Sequence, residues 1–328
     1  MIPRYLCPVN RKETPVDQAI HLLQKGEVVA LPTETVYGLA ANALRSESVA
    51  RIFSLKKRPF FDPLLVHVKN WDDLQKWAHH IPSEAKKLYD QLGPGPLTYL
   101  LPKNPLIPDL TTSGLATVGL RIPDHPLFIE VLNGLDFPLA APSANLFGYI
   151  SPTTAQHVKD QLGDTLPYIL DGGPCRVGIE STIIDFTSGP LSIARLGGVR
   201  VDQIEEILGH SIAVASPSTS KPQAPGQLES HYAPSKPLRL IPYGERPELK
   251  EETAYLPFVR RADGTTGSFA FYFPLSDDGS DEIAAANLFK ALRLADQSTA
   301  LEIVAELAPA HGLGLAINDR LTRAAAKR

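Results

Sequence analysis

A chain of 328 residues with 43% hydrophobic and 21% charged side chains has the make-up of a folded globular protein, which excludes disorder throughout. At roughly 100 to 200 residues per domain the length is comfortable for two, and it can bury a sizeable core. A formal net charge of -4 excludes a protein held on RNA by overall charge alone, although a local basic groove would survive it.

In chain order, the opening MIPRYLCPVNRKE lacks the apolar run of a secretory leader. Cys7 reads as an ordinary thiol. With Cys175 it makes two cysteines, which suggests neither a disulfide framework nor a cysteine-based zinc site. Val16 to Gln24 reads as a helix ended by Gly26, and Val28 to Leu31 as a short buried strand. Ser46 can cap a helix that carries Val49, Ile52 and Phe53 on one face. Leu64 to Val68 is another strand, and Ser83 to Leu92 another helix, ended by Gly93. Strands are expected at Leu97–Leu101, Thr117–Arg121, Pro138–Ala141, Thr182–Phe186 and Leu191–Arg195. Strands with interleaved helices argue an α/β sheet covered by helices.

Ala213 to Ser230, AVASPSTSKPQAPGQLES, is rich in Pro, Ser and Gly and reads as a linker. Beyond it, Leu238–Ile241, Ala254–Phe258 and Gly314–Ile317 read as strands, and Asp281–Leu294 and Asp319–Lys327 as helices. They suit a smaller Rossmann-like α/β layer, without a glycine-rich dinucleotide fingerprint. No segment approaches ~18 uninterrupted apolar residues, so no membrane partner and a soluble, cytoplasmic chain are expected. There is no internal repeat.

Five polar segments stand out within these elements. In LPTETVYGLA a buried strand delivers Thr33, Glu34 and Thr35 at its end, where ligands of open α/β sheets tend to bind. The plainer alternative is that the hydroxyls cap a following helix. Lys56, Lys57 and Arg58 end the second helix and complement its dipole or clamp a phosphate chain. His67 sits in an apolar run, where a satisfied core residue is the commoner case. Thr117, Gly119 and Arg121 alternate and share a strand face. Arg121 there needs a carboxylate, from a substrate or from the protein. APSANLFGYISPT collects Ser143, Asn145 and Ser151, and ESTI and RLGG supply Glu180, Ser181 and Arg195. No P-loop, zinc spacing or nucleophile elbow competes.

In order, PTETVYGL, KKRP with DPL and HV behind it, GPLT, TVGLRIPDHP, APSAN, SPT, ESTI and RLGG resemble the YrdC-like family, the threonylcarbamoyl-AMP synthases. The resemblance covers roughly residues 10–210. APG at Ala224–Gly226 and HYAP at His231–Pro234 resemble the connector of the longer, two-domain branch. It implies a YrdC-like domain at 10–210, a linker and lid at 211–235, and a C-terminal α/β domain at 236–328. The fold implied is a twisted, open mixed sheet with helices around a large, positively charged cavity.

The resemblance also implies roles. Thr35, His67, Arg121, Ser143 and Ser181 line a threonine pocket. Lys56, Arg58, Asp62, Thr117, Asn145, Ser151 and Arg195 surround ATP, and Tyr232, with His231, covers the nucleotide from the linker. Two departures are visible. Relatives commonly carry Asn where this chain has Asp62, and a carboxylate beside a triphosphate repels it unless a cation intervenes. QLES precedes HYAP where many relatives carry a more basic stretch, which weakens a grip of the linker on RNA.

The chemistry so implied joins L-threonine, bicarbonate and ATP into L-threonylcarbamoyladenylate with release of pyrophosphate. Lys56, Arg58 and Arg195 neutralise the reacting phosphates, and Mg2+ is bound through ATP, since no carboxylate cluster cages it. The product passes to the enzyme that transfers the threonylcarbamoyl group to tRNA, with a weak tRNA contact here. The alternatives are a carbamoyl-adenylate-forming carbamoyltransferase, whose chains are longer and carry zinc-finger modules, and a non-catalytic RNA-binding module.

Overall fold

The computed structural model describes residues 13–187, 189–215, 226, 228–245, 247, 252–261 and 271–326. Cys7, Ala224, Pro225, Gln227 and Lys327 therefore lie outside the described residues, as does most of the central linker. No helix among the described residues is long and apolar enough to cross a membrane.

The first half alternates short strands with helices. In chain order they are α1 (Pro15–Gln24), β1 (Val29–Leu31), β2 (Gly38–Asn42), α2 (Ser46–Lys56), β3 (Leu65–His67), α3 (Trp71–Trp77), α4 (Ser83–Leu92), β4 (Leu97–Pro102) and β5 (Thr117–Arg121). There follow α5 (Pro126–Asn133), β6 (Leu139–Ala140), α6 (Ala155–Leu162), β7 (Thr182–Asp185), β8 (Ser192–Arg195), α7 (Val201–Leu208) and β9 (Ala213–Val214). The described strands form one mixed sheet in the order β1-β2-β6-β3-β5-β4-β7-β8-β9.

Residue alternation explains why this sheet is covered on both faces. Ala30, Leu39 and Ala41 enter one apolar cluster with α2, while Val29, Leu31 and Ala40 enter another with α1 and α5. Thr14 caps α1 in a reciprocal box with Asp17, and Pro15 begins it, where a missing N–H costs nothing. Ser46 does not cap α2: it is the first helical residue, and Arg45 stands at the cap with no side-chain bond. The start of the expected linker also differs, because Ala213–Val214 pairs with β8 as the sheet's last strand.

The second half is a parallel four-stranded sheet. Its strands are β10 (Leu238–Ile241), β11 (Thr253–Leu256), β12 (Phe271–Tyr272) and β13 (Glu302–Glu306), in the order β10-β13-β11-β12. Helices α8 (Asp281–Gln297) and α9 (Gly314–Ala325) complete it. Gly314–Ile317 is the first turn of α9 and not a strand. A short apolar run cannot separate a strand from a buried helix turn, and Ala316, Ile317, Leu321 and Ala324 recur at helical spacing on its buried side. The strand in this stretch is β13, EIVAE.

The two halves share a core. Val36, Ile150, Ile179 and Tyr232 cluster with Ala284, Ala285, Leu288 and Phe289 of α8. Gly178 sits at the closest approach, with φ +75° and room for no Cβ: one would lie 2.4 Å from the Ala286 Cα. Gly178→Ala should therefore cost at least the roughly 1–3 kcal/mol of a strained backbone, with the clash in addition. Denaturant unfolding would measure it, and an unchanged midpoint would show that the halves are not pressed together there.

Candidate active site

The predicted residues converge on one face of the first sheet. His67 lies opposite Arg121, and Leu65 opposite Gly119, in the β3–β5 pair. Side chains two apart share a face, so Leu65, His67 and Arg121 form one wall. Thr98 of β4 lies opposite Arg121 on the other side, and its Oγ1 is 2.7 Å from Ser181 Oγ. Arg58, Ser143, Glu180, Arg195, His231 and Tyr232 close the cavity.

The first polar segment is a turn between β1 and β2, not a helix cap. Thr33 Oγ1 donates to Val36 O (2.7 Å) and accepts from the amides of Thr35 (3.1 Å) and Val36 (3.2 Å). Thr35 is fully buried, and its Oγ1 is 2.8 Å from that of Thr33.

Lys56 stands behind the cavity. Its ammonium donates to the carbonyls of Ser143 and Asn145, the latter at 2.6 Å. Burial holds its pKa well below the usual lysine range, Arg58 adding to this against Asp62 and Glu180. Lys57 then takes a left-handed φ of 51°, and the turn brings Arg58 to the cavity. Arg58 Nε donates to Asp62 O (3.0 Å) and Nη2 to Pro63 O (2.8 Å). Nη2 is also 2.9 Å from Asp62 Oδ2. The cation that shields Asp62 from an anion is thus Arg58 itself. Burial still raises the Asp62 carboxyl above its usual range, against Arg58, Lys56 and Arg195.

The carboxylate that Arg121 requires is supplied by the protein. Its Nη2 donates to Glu34 Oε1 at 2.6 Å, with both side chains buried. Arg121 nonetheless lines the cavity beside His67. Burial lowers the His67 imidazole well below its usual range, with Arg121 adding, so the ring is neutral. Its Nδ1 has no hydrogen-bond partner. Arg195 donates from Nε (3.1 Å) and Nη2 (2.9 Å) to Ser181 O.

Six predicted residues lie off the lining: Thr35, Lys56 and Asp62 stand behind it, and Thr117, Asn145 and Ser151 are placed elsewhere. Thr117 opens β5, four residues and ~13 Å along the strand from Arg121. Asn145 is buried and donates from Nδ2 to the carbonyls of Leu146 (2.7 Å) and Tyr149 (2.9 Å). Ser151 is also buried and gives its hydroxyl to Glu180 Oε1 at 2.6 Å.

Of the charged side chains that line the cavity, Arg58, Arg121 and Arg195 are cations and Glu180 is the carboxylate. The excess positive charge suits an anion. Tyr232 closes this space: its ring stacks on Phe289 at 5.4 Å and meets His231 edge-on at 4.1 Å. Gly226 lies against it, since a Cβ there would be 3.0 Å from the Tyr232 hydroxyl. The cavity so enclosed measures about 50 Å³, whereas small-ligand sites run to roughly 300–1,000 Å³. With Tyr232 and His231 in place, the cavity is too small for a ligand of that size.

A larger cavity of about 710 Å³ lies between α7 and the strand ends of the second sheet, but most of its charged groups are already paired. Arg200 pairs with Asp202 and Glu282, Asp281 accepts the Leu313 amide, and Ser280 caps α8. The chemistry belongs to the smaller, charged cavity. Among the described residues no group of three or more His, Cys, Asp or Glu side chains could hold a metal ion.

The Sua5/YciO/YrdC family model, described as telomere recombination, matches residues 21–197. The model of the threonylcarbamoyl-AMP synthase C-terminal domain matches residues 199–326. This chain belongs to the threonylcarbamoyl-AMP synthase family. It is 39% identical to the synthase of Pyrococcus abyssi over 94% of both chains. With that of Bacillus subtilis it shares 37% identity over 98% of this chain and 95% of the other. A crystal structure of the P. abyssi protein complexed with L-threonine superposes with a TM-score of 0.87 at 37% identity, covering 94% of each chain.

Sequence reasoning named Glu34 and Glu180 without giving them a partner, and it did not single out Arg293 and Arg320, which also contribute to this synthase site. The available signal was a charge inside an apolar stretch, as with Arg293 between Leu292 and Leu294, since such a charge must find a partner.

The burial of His231 beside Tyr232 predicts that their packing over the cavity depends on pH. Burial lowers its pKa from 6.5 to about 3, Glu180 opposing and Arg58, Lys56 and Arg320 adding. The folded value is depressed, so the group's contribution to closure is complete above pH 6.5 and fades as pH falls towards about 3. At a pH of about 5.5 closure should be weaker by roughly 1.4 kcal/mol. Hydrogen exchange of residues 228–235, corrected for intrinsic rates, should accelerate about tenfold there. Equal protection at both pH values would mean that His231 stays unprotonated when the lid opens.

Proposed function

We infer that the chain makes L-threonylcarbamoyladenylate from L-threonine, bicarbonate and ATP, releasing pyrophosphate. The observation that carries this reading is the closed cavity itself, where Arg58, Arg121 and Arg195 face a neutral His67 beneath Tyr232, in a chain of this family. The threonine amine takes up carbon dioxide or bicarbonate as a carbamate. A carbamate oxygen then attacks the α-phosphorus of ATP, and the bond to pyrophosphate breaks.

Arg58 and Arg195 neutralise the charge that develops on the phosphates. Both are already desolvated and fixed by carbonyls, so little reorganisation accompanies the reaction. Lys56 acts indirectly by holding the carbonyls of Ser143 and Asn145. Ser143, Ser181, Arg121 and His67 receive threonine, with Thr35 behind them, and the free Nδ1 of His67 accepts from the ammonium. Carbamates decompose in water, so closure of Tyr232 over the site protects the intermediate.

Magnesium belongs to the nucleotide substrate and is carried by its phosphates. The product then passes, in the cytoplasm, to the enzyme that transfers the threonylcarbamoyl group to tRNA. Any contact of tRNA with this chain is weak and salt-sensitive.

The test is pyrophosphate release with ATP and magnesium, omitting threonine or bicarbonate in turn. Release should need both. Release with carbamoyl phosphate in place of threonine would make the chain a carbamoyltransferase, and none under any condition would overturn the enzymatic reading. Arg58→Ala should lower kcat about 10²- to 10³-fold, the scale of one preorganised charge donor.

A further inference from the structure

The C-terminal half reaches into the active site through its helices. Arg320 of α9 is fully buried. Its Nε donates to Glu180 Oε2 (2.9 Å), Nη2 to Leu196 O (2.8 Å) and Nη1 to Asp319 Oδ2 (2.6 Å). Its guanidinium lies 5.2 Å from the centre of the Tyr232 ring, within cation–π range. Glu180 lines the cavity, and its other oxygen accepts the Ser151 hydroxyl at 2.6 Å. From α8, Arg293 donates to Ile150 O and, from Nε, to Ser151 O at 3.4 Å. Ser151 is thereby held at its main chain directly by the other half of the protein, and at its hydroxyl through Glu180, whose other oxygen Arg320 occupies. The same α9 grips the lid chain, since Arg323 donates to Leu228 O and the His231 amide donates to Arg323 O at 3.2 Å.

We propose that Arg320 is a positioning residue for the nucleotide: one guanidinium orients the Glu180–Ser151 pair and ties that pair to the closed form of Tyr232. The proposal rests on the reading of Tyr232 as the cover of the ATP site, with Ser151 acting through Glu180 in the cavity wall. A purely structural role is the competing account, because removing one partner of a buried ion pair destabilises any fold. The two accounts differ in what a retained charge achieves. Lysine restores the positive charge but cannot contact Glu180, Leu196 and the Tyr232 ring together, because only guanidinium has the planar fork.

Charge also leaves a mark on pH dependence. Burial alone would raise the Glu180 carboxyl, but Arg320 first and Arg195 second hold it below its usual range. Without Arg320 it protonates at higher pH, and a protonated carboxyl no longer holds the Ser151 hydroxyl as a pure acceptor.

The experiment compares the full-length wild-type chain with Arg320→Lys and Arg320→Gln. Melting temperature, KM for ATP, KM for threonine and the Kd of a non-hydrolysable ATP analogue are measured between pH 5 and 8. Arg320→Lys should melt close to wild type yet raise KM and Kd for the nucleotide about tenfold, the scale of one charge-assisted hydrogen bond, with KM for threonine within twofold. Arg320→Gln should add an acidic limb to nucleotide binding. Should Arg320→Gln fail to fold, Arg320→Lys alone decides. Wild-type nucleotide affinity in a stable Arg320→Lys, or equal losses for ATP and threonine, would overturn the proposal. Absence of turnover in the wild type would remove the reading of the reaction instead, and the analogue Kd would still judge Arg320.

Discussion

A carboxylate sealed from water persists only where cations and donors replace its hydration, and at Glu180 both halves of this chain meet that need. Ser151 comes from the first half and Arg320 from the second, and they occupy opposite oxygens of the same group. The apolar contacts around it give the halves a reason to associate, but they do not fix a register. A forked guanidinium against one carboxylate, with a tyrosine face beside it, does. Buried ion pairs contribute little net stability as a rule, so the value of this one lies in geometry at the cavity wall.

The same economy runs through the other charges. Each cation of the cavity is anchored on a carbonyl or a carboxylate of its own: Lys56 on Ser143 and Asn145, Arg58 on Asp62 and Pro63, Arg121 on Glu34, Arg195 on Ser181. Flexible cations on a surface would lose side-chain entropy on meeting a triphosphate, and water would screen them. Here that cost falls on folding. Asp62 illustrates the point. It is unfavourable as an isolated charge near phosphate, but as the ion-pair partner of Arg58 it holds the guanidinium still.

What was legible in the sequence follows from how local the cause is. Strands such as Thr117–Arg121 and helices such as α1 are written in runs of neighbours, with caps and glycines to close them, so their positions could be read within a residue or two. The cavity residues His67, Arg121, Ser181 and Arg195 were legible as polar groups interrupting apolar strands, and family resemblance gathered them. The partner of Arg121 was not, since Glu34 lies 87 positions away and only the sheet's strand order brings them together. Gly314–Ile317 failed for a different reason: four apolar residues carry no period, and tertiary packing chose helix. Arg320 stands 140 positions from Glu180, on a helix whose pattern announces only an amphipathic face.

Closure sets the remaining constraint. A cavity of about 50 Å³ cannot admit a nucleotide while Tyr232 and His231 remain where they are, so binding must draw on a form in which they have moved. If that open form is a minor population, the observed affinity for ATP is the intrinsic affinity reduced by its fraction. Each contact that favours closure in the absence of ligand, such as Tyr232 on Phe289 and Arg320 on Tyr232, therefore opposes nucleotide entry. It favours retention once the nucleotide is inside only if it survives in the loaded, closed state. Tyr232 and Arg320 are suited to that double demand because a ring face and a guanidinium plane can slide while staying in contact, and a buried neutral His231 adds no charge to be solvated at neutral pH.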